Sequence, residues 1–347
     1  MTKNAEQVVE SARQSKGRLE YIDAIRGVGA LLVAVQHPLE YAFPAYAQWS
    51  LQYINLGRVG IVAFFLVSGY VVGLTLSRQT VRTFAIRRFW RLYPIYWVAT
   101  VAYVAVVVLT GQAPFDYSLV VILMNVTMLQ GFFGVYSILG VAWTLGIEIA
   151  FYAQSILGKL SRFLEKSVWL GIGWLLVFAG MALANFAFGA EFTAVMPLMM
   201  FTASVGFAVY LWENGQSKAL LLFIPLAVVL VPTLGWFLVS QHAGVRDAWT
   251  PLGFDLSYAG GLAIFAALYA VRSRKMHASL LWLGGISYSL YLVHTIVMAA
   301  LKPLGLAPAV FVLVAIVGGI LVAWGARILV ERPTTDYGRR ITSARQS

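Results

Sequence analysis

An arginine and a histidine, Arg26 and His37, stand on one apolar segment, IRGVGALLVAVQH, with ten residues between them. Eleven steps of about 100° return a helix to nearly the same face about 16 Å further along its axis. One helix would then carry a cation near a membrane surface and an imidazole near mid-bilayer. Burying either in hydrocarbon costs on the order of several kcal/mol, so such groups face a wet or protein-lined cavity. Imidazole exchanges protons near neutral pH, which makes His37 a candidate general base, with a packed hydrogen-bonding histidine as the plainer alternative. Asp23 can pair with Arg26 at the i,i+3 spacing. Glu40, three residues beyond His37, either orients the imidazole or reaches the outer interface, and the second reading is preferred.

Further chemistry-bearing residues lie along the chain. Glu148, in AWTLGIEIAFY, is a carboxylate at membrane depth that must protonate or find a partner, with Arg26, His37 or a substrate as candidates. The stretch RTFAIRRFWRLYP holds Arg82, Arg87, Arg88 and Arg91. Such a cluster signals topology and meets anionic head groups. Arg88 and Arg91 also share a helix face beside Phe89, Trp90 and Tyr93, and guanidinium groups suit bidentate phosphate recognition, so a phosphorylated cytosolic ligand is the sharper reading. Ser68 and Gly69, and Ser287, Ser289 and His294, read as close packing and interhelical hydrogen bonding. His242 and Asp247 match a His-x4-Asp glycerolipid acyltransferase spacing, but their loop is expected to face away from the cytosol, and the match is set aside. There is no cysteine, which excludes disulfides, thiolate metal sites and a cysteine-bound acyl intermediate.

The elements that must position these residues follow from composition. With 60% hydrophobic and 11% charged residues and a mean hydropathy of +0.79, the chain is an integral membrane protein. The net charge of +11 resides in short loops between spans, where it sets orientation rather than nucleic-acid binding. Residues 1–20 lack the pattern of a signal peptide and read as a short disordered polar tail. Apolar runs near 22–42, 57–77, 92–110, 141–157, 168–188, 194–212, 219–239, 252–271, 280–300 and 308–330 predict ten crossings of an all-α, polytopic bundle.

Loop charge arranges these runs. The N-terminal tail, 78–91, 159–166, 272–277 and the C-terminal tail are rich in Lys and Arg and should be cytoplasmic. That holds only if the interrupted stretch 118–135 is re-entrant or interfacial, in which case Asn125 and Gln130 line a cavity or serve helix packing. The expected organisation is a polar cytoplasmic tail (1–20), one membrane domain (21–333) and a basic cytoplasmic tail (334–347), without internal repeats.

Taken in order, YIDAIRG with His37, FFLVSGY, RRFWRLYP, WTLGIE and ISYSLYLVH resemble the membrane-bound acyltransferase family 3, from about residue 19 to Glu331-Arg332-Pro333. The resemblance implies transfer of an acyl group, commonly acetyl, from cytosolic acyl-CoA to a hydroxyl of an extracytoplasmic glycan or lipid-linked saccharide. It places the family's Arg-x10-His pattern on Arg26 and His37, its Arg-x-x-Arg pattern on Arg88 and Arg91, and its glutamate on Glu148, with Thr144 where serine is more usual. It favours the stand-alone form without an SGNH domain, in the cytoplasmic membrane and with both termini inside. In the combined reading the arginine cluster of Arg82, Arg87, Arg88 and Arg91 holds the acyl-CoA phosphates, His37 takes the acceptor proton, and Arg26 and Glu148 position the reactants. No metal is required. A proton-coupled transporter using the same His, Glu and Arg as a relay is the competing reading.

Overall fold

In lipid an apolar run satisfies its backbone polar groups only as a helix, and helices are what the chain forms. The computed structural model describes residues 2–112, 118–240 and 250–343, and of 2–19 the backbone alone; no strand occurs among them. In chain order the helices are α1 (Thr2–Ala42), α2 (Pro44–Gln52), α3 (Leu56–Leu76), α4 (Val81–Leu109), α5 (Leu119–Thr127), α6 (Trp143–Leu160) and α7 (Leu170–Phe188). They continue as α8 (Val195–Glu213), α9 (Ala219–Pro225), α10 (Val231–Val239), α11 (Pro251–Ala270), α12 (Ala278–Leu301), α13 (Pro308–Ala326) and α14 (Arg332–Ser343). Single π turns join α9 to α10 and α13 to α14.

Nine segments among the described residues are long and apolar enough to cross a membrane. The first helix falls below them because Arg26, Gln36, His37 and Glu40 interrupt its apolar half. It nevertheless runs the length of the bundle, antiparallel to α3 and parallel to α12: Gly29 packs on Gly60 and Gln36 bonds Leu56, while Gly27 meets Gly284 and His37 meets His294. With α1 the described residues traverse the bundle ten times. Its polar start, expected to be disordered, continues the helix back to Thr2, in keeping with a sequence of strong helix formers and no proline.

Close approach of small residues holds the centre together, as is usual where lipid offers no hydrophobic drive. At the α3–α8 crossing a Cβ on Gly69 would collide with the Ala203 carbonyl, and one on Gly206 with that of Leu66. Ser68 is thereby set beside this contact, at the depth of Glu148.

The nine residues of α5 span about 14 Å, less than half of a hydrocarbon core, so the 118–135 segment does not cross. Its last carbonyls, unpaired within so short a helix, accept hydrogen bonds from Tyr93, Tyr96 and Trp97 of α4. Asn125 and Gln130 line neither of the cavities described below. Asn125 staples the following loop, donating to the Val121 and Tyr136 carbonyls and accepting from Ile138 N–H, while Gln130 donates to Ser137. His242 and Asp247 lie outside the described residues.

The basic loops gather at one end. Lys159 donates to the Leu76 and Gln79 carbonyls, Arg272 pairs with Glu213 at 3.2 Å, and Met276 N–H donates to Glu20.

Candidate active site

A cavity of about 360 Å³ begins at this basic end and runs inward between α1, α3, α4, α6 and α12. Along α3 its wall extends from Thr75 to Ile61, fourteen residues or about 21 Å. Arg88 and Arg91 of α4 and Arg339 of α14 line it, together with Arg26 of α1 and Glu148 of α6. Helix periodicity explains the selection on α4, because Arg88 and Arg91 share a face whereas Arg82 and Arg87 point elsewhere. Arg82 is exposed and Arg87 Nε donates to Thr342 Oγ1 at 2.8 Å, so neither lines the cavity.

The charges inside are held in place. Glu148 Oε1 accepts from Ser68 Oγ at 3.2 Å and from the Tyr152 hydroxyl one turn along its own helix. Arg88 donates to Thr75 Oγ1 at 3.3 Å, and its guanidinium carbon lies 5.1 Å from the ring centres of both Phe84 and Tyr152. Two such cation–π contacts contribute roughly 0.5–2 kcal/mol each, which offsets part of the desolvation of the charge. Arg26 sits 3.8 Å from Asp23, the pairing expected from their spacing. Arg91 has no hydrogen bond or ion pair with the described side chains, so its donors remain available to a ligand.

The inner end of the cavity closes on aromatic and hydroxyl groups. Tyr291 stands edge-on to Phe64 and shares a hydrogen bond of 2.7 Å with Thr144, and both hydroxyls reach the Val141 carbonyl. Beyond this wall lies His37, which is absent from the cavity lining. Its ring stacks on that of His294, centroids 5.3 Å apart, and its Nδ1 is 3.6 Å from Glu40 Oε2. Glu40 does not simply reach outward: Oε1 accepts from Gln36 Nε2 at 2.7 Å, Asn55 Nδ2 at 2.9 Å and Ser50 Oγ at 3.4 Å, which aims Oε2 at the imidazole.

A second cavity of about 500 Å³, mainly apolar, opens around the other end of α3 between α7, α8, α10 and α11. Ile61 lines both cavities, and the adjacent residues Trp143 and Thr144 line one each.

Of the residues singled out from sequence, Arg26, Arg88, Arg91 and Glu148 are thus brought together, and His37 is set apart with His294 and Glu40. Ser68, Tyr152 and Arg339 were not read as site residues. Tyr152 had a signal, the i,i+4 spacing from Glu148; Arg339 had none, because nothing local says that α14 folds back. Among the described residues no group of three metal-ligating side chains occurs.

Comparison with known proteins places the chain in a family. A family model described as an acyltransferase domain matches residues 19–328. The chain is 29% identical over 322 residues to the exopolysaccharide production protein ExoZ of Rhizobium meliloti (strain 1021), covering 84% of this chain and 94% of that protein. It is 25% identical over 375 residues to nodulation protein 10 of Rhizobium leguminosarum bv. viciae, covering 97% of this chain and 99% of that one. No solved structure matches.

Proposed function

This chain belongs to acyltransferase family 3 and is an acyl-transferring membrane enzyme, and from that premise we propose that it moves an acyl group, acetyl in the first instance, from cytosolic acyl-CoA to a hydroxyl of a cell-surface or exported glycan. The observation that carries the reading is the convergence of Arg26, Arg88, Arg91 and Glu148 on one cavity that starts at the basic end of the bundle. A relative described by exopolysaccharide production supports a glycan, free or lipid-linked, as acceptor. Loops rich in Lys and Arg at the cavity mouth support a cytosolic mouth, both termini inside and a place in the cytoplasmic membrane.

The phosphates of acyl-CoA meet the guanidinium groups of Arg88 and Arg91, and the pantetheine arm carries the thioester inward along α3. His37 removes the acceptor hydroxyl proton as that oxygen attacks the thioester carbonyl. The tetrahedral intermediate expels the CoA thiolate, which takes the proton from the imidazolium, leaving an O-acyl ester and free CoA. Arg26 and Glu148, on the donor side of that path, position the reactants, with Ser68 and Tyr152 holding the Glu148 carboxylate in place. Acceptor and base lie on the far side of the Tyr291–Thr144 wall, so the thioester must pass it for transfer to occur.

Purified protein in lipid nanodiscs, given labelled acetyl-CoA and surface glycan, is expected to release CoA and label the glycan. A proton-coupled transporter would form no acylated glycan, and that outcome overturns the proposal.

A further inference from the structure

Residues 332–343, which run from the end of the expected membrane domain (21–333) into the expected basic tail (334–347) and lie beyond the family match at 19–328, form a helix that folds back onto α4. Its docking is specific. Gly338 abuts Trp90 so closely that a Cβ there would come within 2.8 Å of the indole-bearing Cβ, and the Tyr337 ring stands edge-on to Trp90 with centroids 4.6 Å apart. Thr342, buried, accepts the hydrogen bond from Arg87, and Glu331 just before α14 accepts one from Ser289 at 2.5 Å. The helix is fastened at its start, middle and end.

This docking has a chemical consequence. Arg339, one residue after the Gly338 contact, lines the mouth of the cavity with Arg88 and Arg91. Its side chain is 67% exposed and shares one guanidinium nitrogen with Asp336 at 3.5 Å, leaving donors free toward the opening. We propose that α14 is part of the donor-binding site, with Arg339 contacting a phosphate of the acyl donor and Arg87 acting through Thr342 to hold the helix there. The proposal rests on the cavity being the donor site, and extends it to a segment outside the family's matched region. A polyanionic donor fits because the three guanidinium groups reach the mouth from two separate helices, a spread that a single carboxylate would not span.

The test compares acetyl-CoA with S-acetyl-pantetheine, which carries the same thioester and no phosphate. Arg339→Gln should raise KM for acetyl-CoA about tenfold, the size of one charge-assisted contact, and leave KM for S-acetyl-pantetheine unchanged. Gly338→Leu, which lifts the helix from Trp90, should show the same selectivity. Arg340→Gln removes an equal charge from the exposed face of the same helix and serves as the control, with both constants unaltered. Equal loss with both donors makes α14 a structural brace and overturns the inference, as does no loss with either. If Arg88→Gln and Arg91→Gln weaken acetyl-CoA selectively while Arg339→Gln does not, the helix alone is excluded; if none of the three does, the donor-site reading itself falls.

Discussion

The imidazoles of His37 and His294 lie face to face, 5.3 Å between centroids and 30° between planes, behind the Tyr291–Thr144 wall that closes the arginine cavity. His294 is 1% exposed; its Nδ1 is 3.0 Å from the Leu290 carbonyl, while Nε2 has no partner. A backbone carbonyl can only accept, so Nδ1 carries the proton and Nε2 is left as a bare acceptor. Two stacked imidazoles cannot both be charged without strong repulsion, so one of the pair must be neutral when the other binds a proton.

Replacing His37 with Ala should lower kcat by about a hundredfold or more, the usual scale for a positioned base, with acetyl-CoA affinity retained because the residue lies outside the donor cavity. Steady-state kinetics together with donor binding in detergent check this. Transfer at the normal rate would remove His37 from the chemistry.

Glu40 gathers three side-chain donors on one oxygen and faces His37 with the other. Glu40→Ala strands donors from α1, from α2 and from Asn55, which caps α3, and should cost about 1–3 kcal/mol, read as a lower Tm. Glu40→Gln keeps an acceptor and the volume; it should restore most of the Tm while kcat stays depressed, because the amide is uncharged beside the imidazolium. Full activity in Glu40→Gln would mean that the carboxylate only braces the fold.

Arg88→Lys tests geometry rather than charge. The lysine keeps the cation but loses the planar fork that lies by Phe84 and Tyr152 and reaches Thr75, so KM for acetyl-CoA should rise about tenfold. An unchanged KM would show that any cation suffices at this position.

Tyr152→Phe removes one of the two hydroxyl donors to Glu148 and leaves the ring beside Arg88. A half-buried carboxylate that loses a donor is held less firmly in its orientation, so kcat should fall about tenfold. Ser68→Ala removes the other donor, and the two losses should be non-additive in a double-mutant cycle because both act on one oxygen. Strict additivity would place the two hydroxyls in separate roles.

The sequence by itself determined a helical membrane bundle, a set of apolar segments long enough to cross with one short stretch that stops short of crossing, and the position of Arg26 and Glu148 within such segments. Each of these follows from local properties, namely the length of apolar runs, the 3.6-residue period and the cost of burying charge. Tertiary structure alone decided that two of four clustered arginines turn inward while Arg87 fastens α14, that Ser68 reaches Glu148 from eighty residues away, and that His37 ends beside His294 rather than in the arginine cavity. The period along a helix says which residues share a face, but which neighbour that face meets is set by helix rotation and crossing. Those depend on small-residue contacts such as Gly69 with Ala203 and Gly27 with Gly284, between segments remote in the chain.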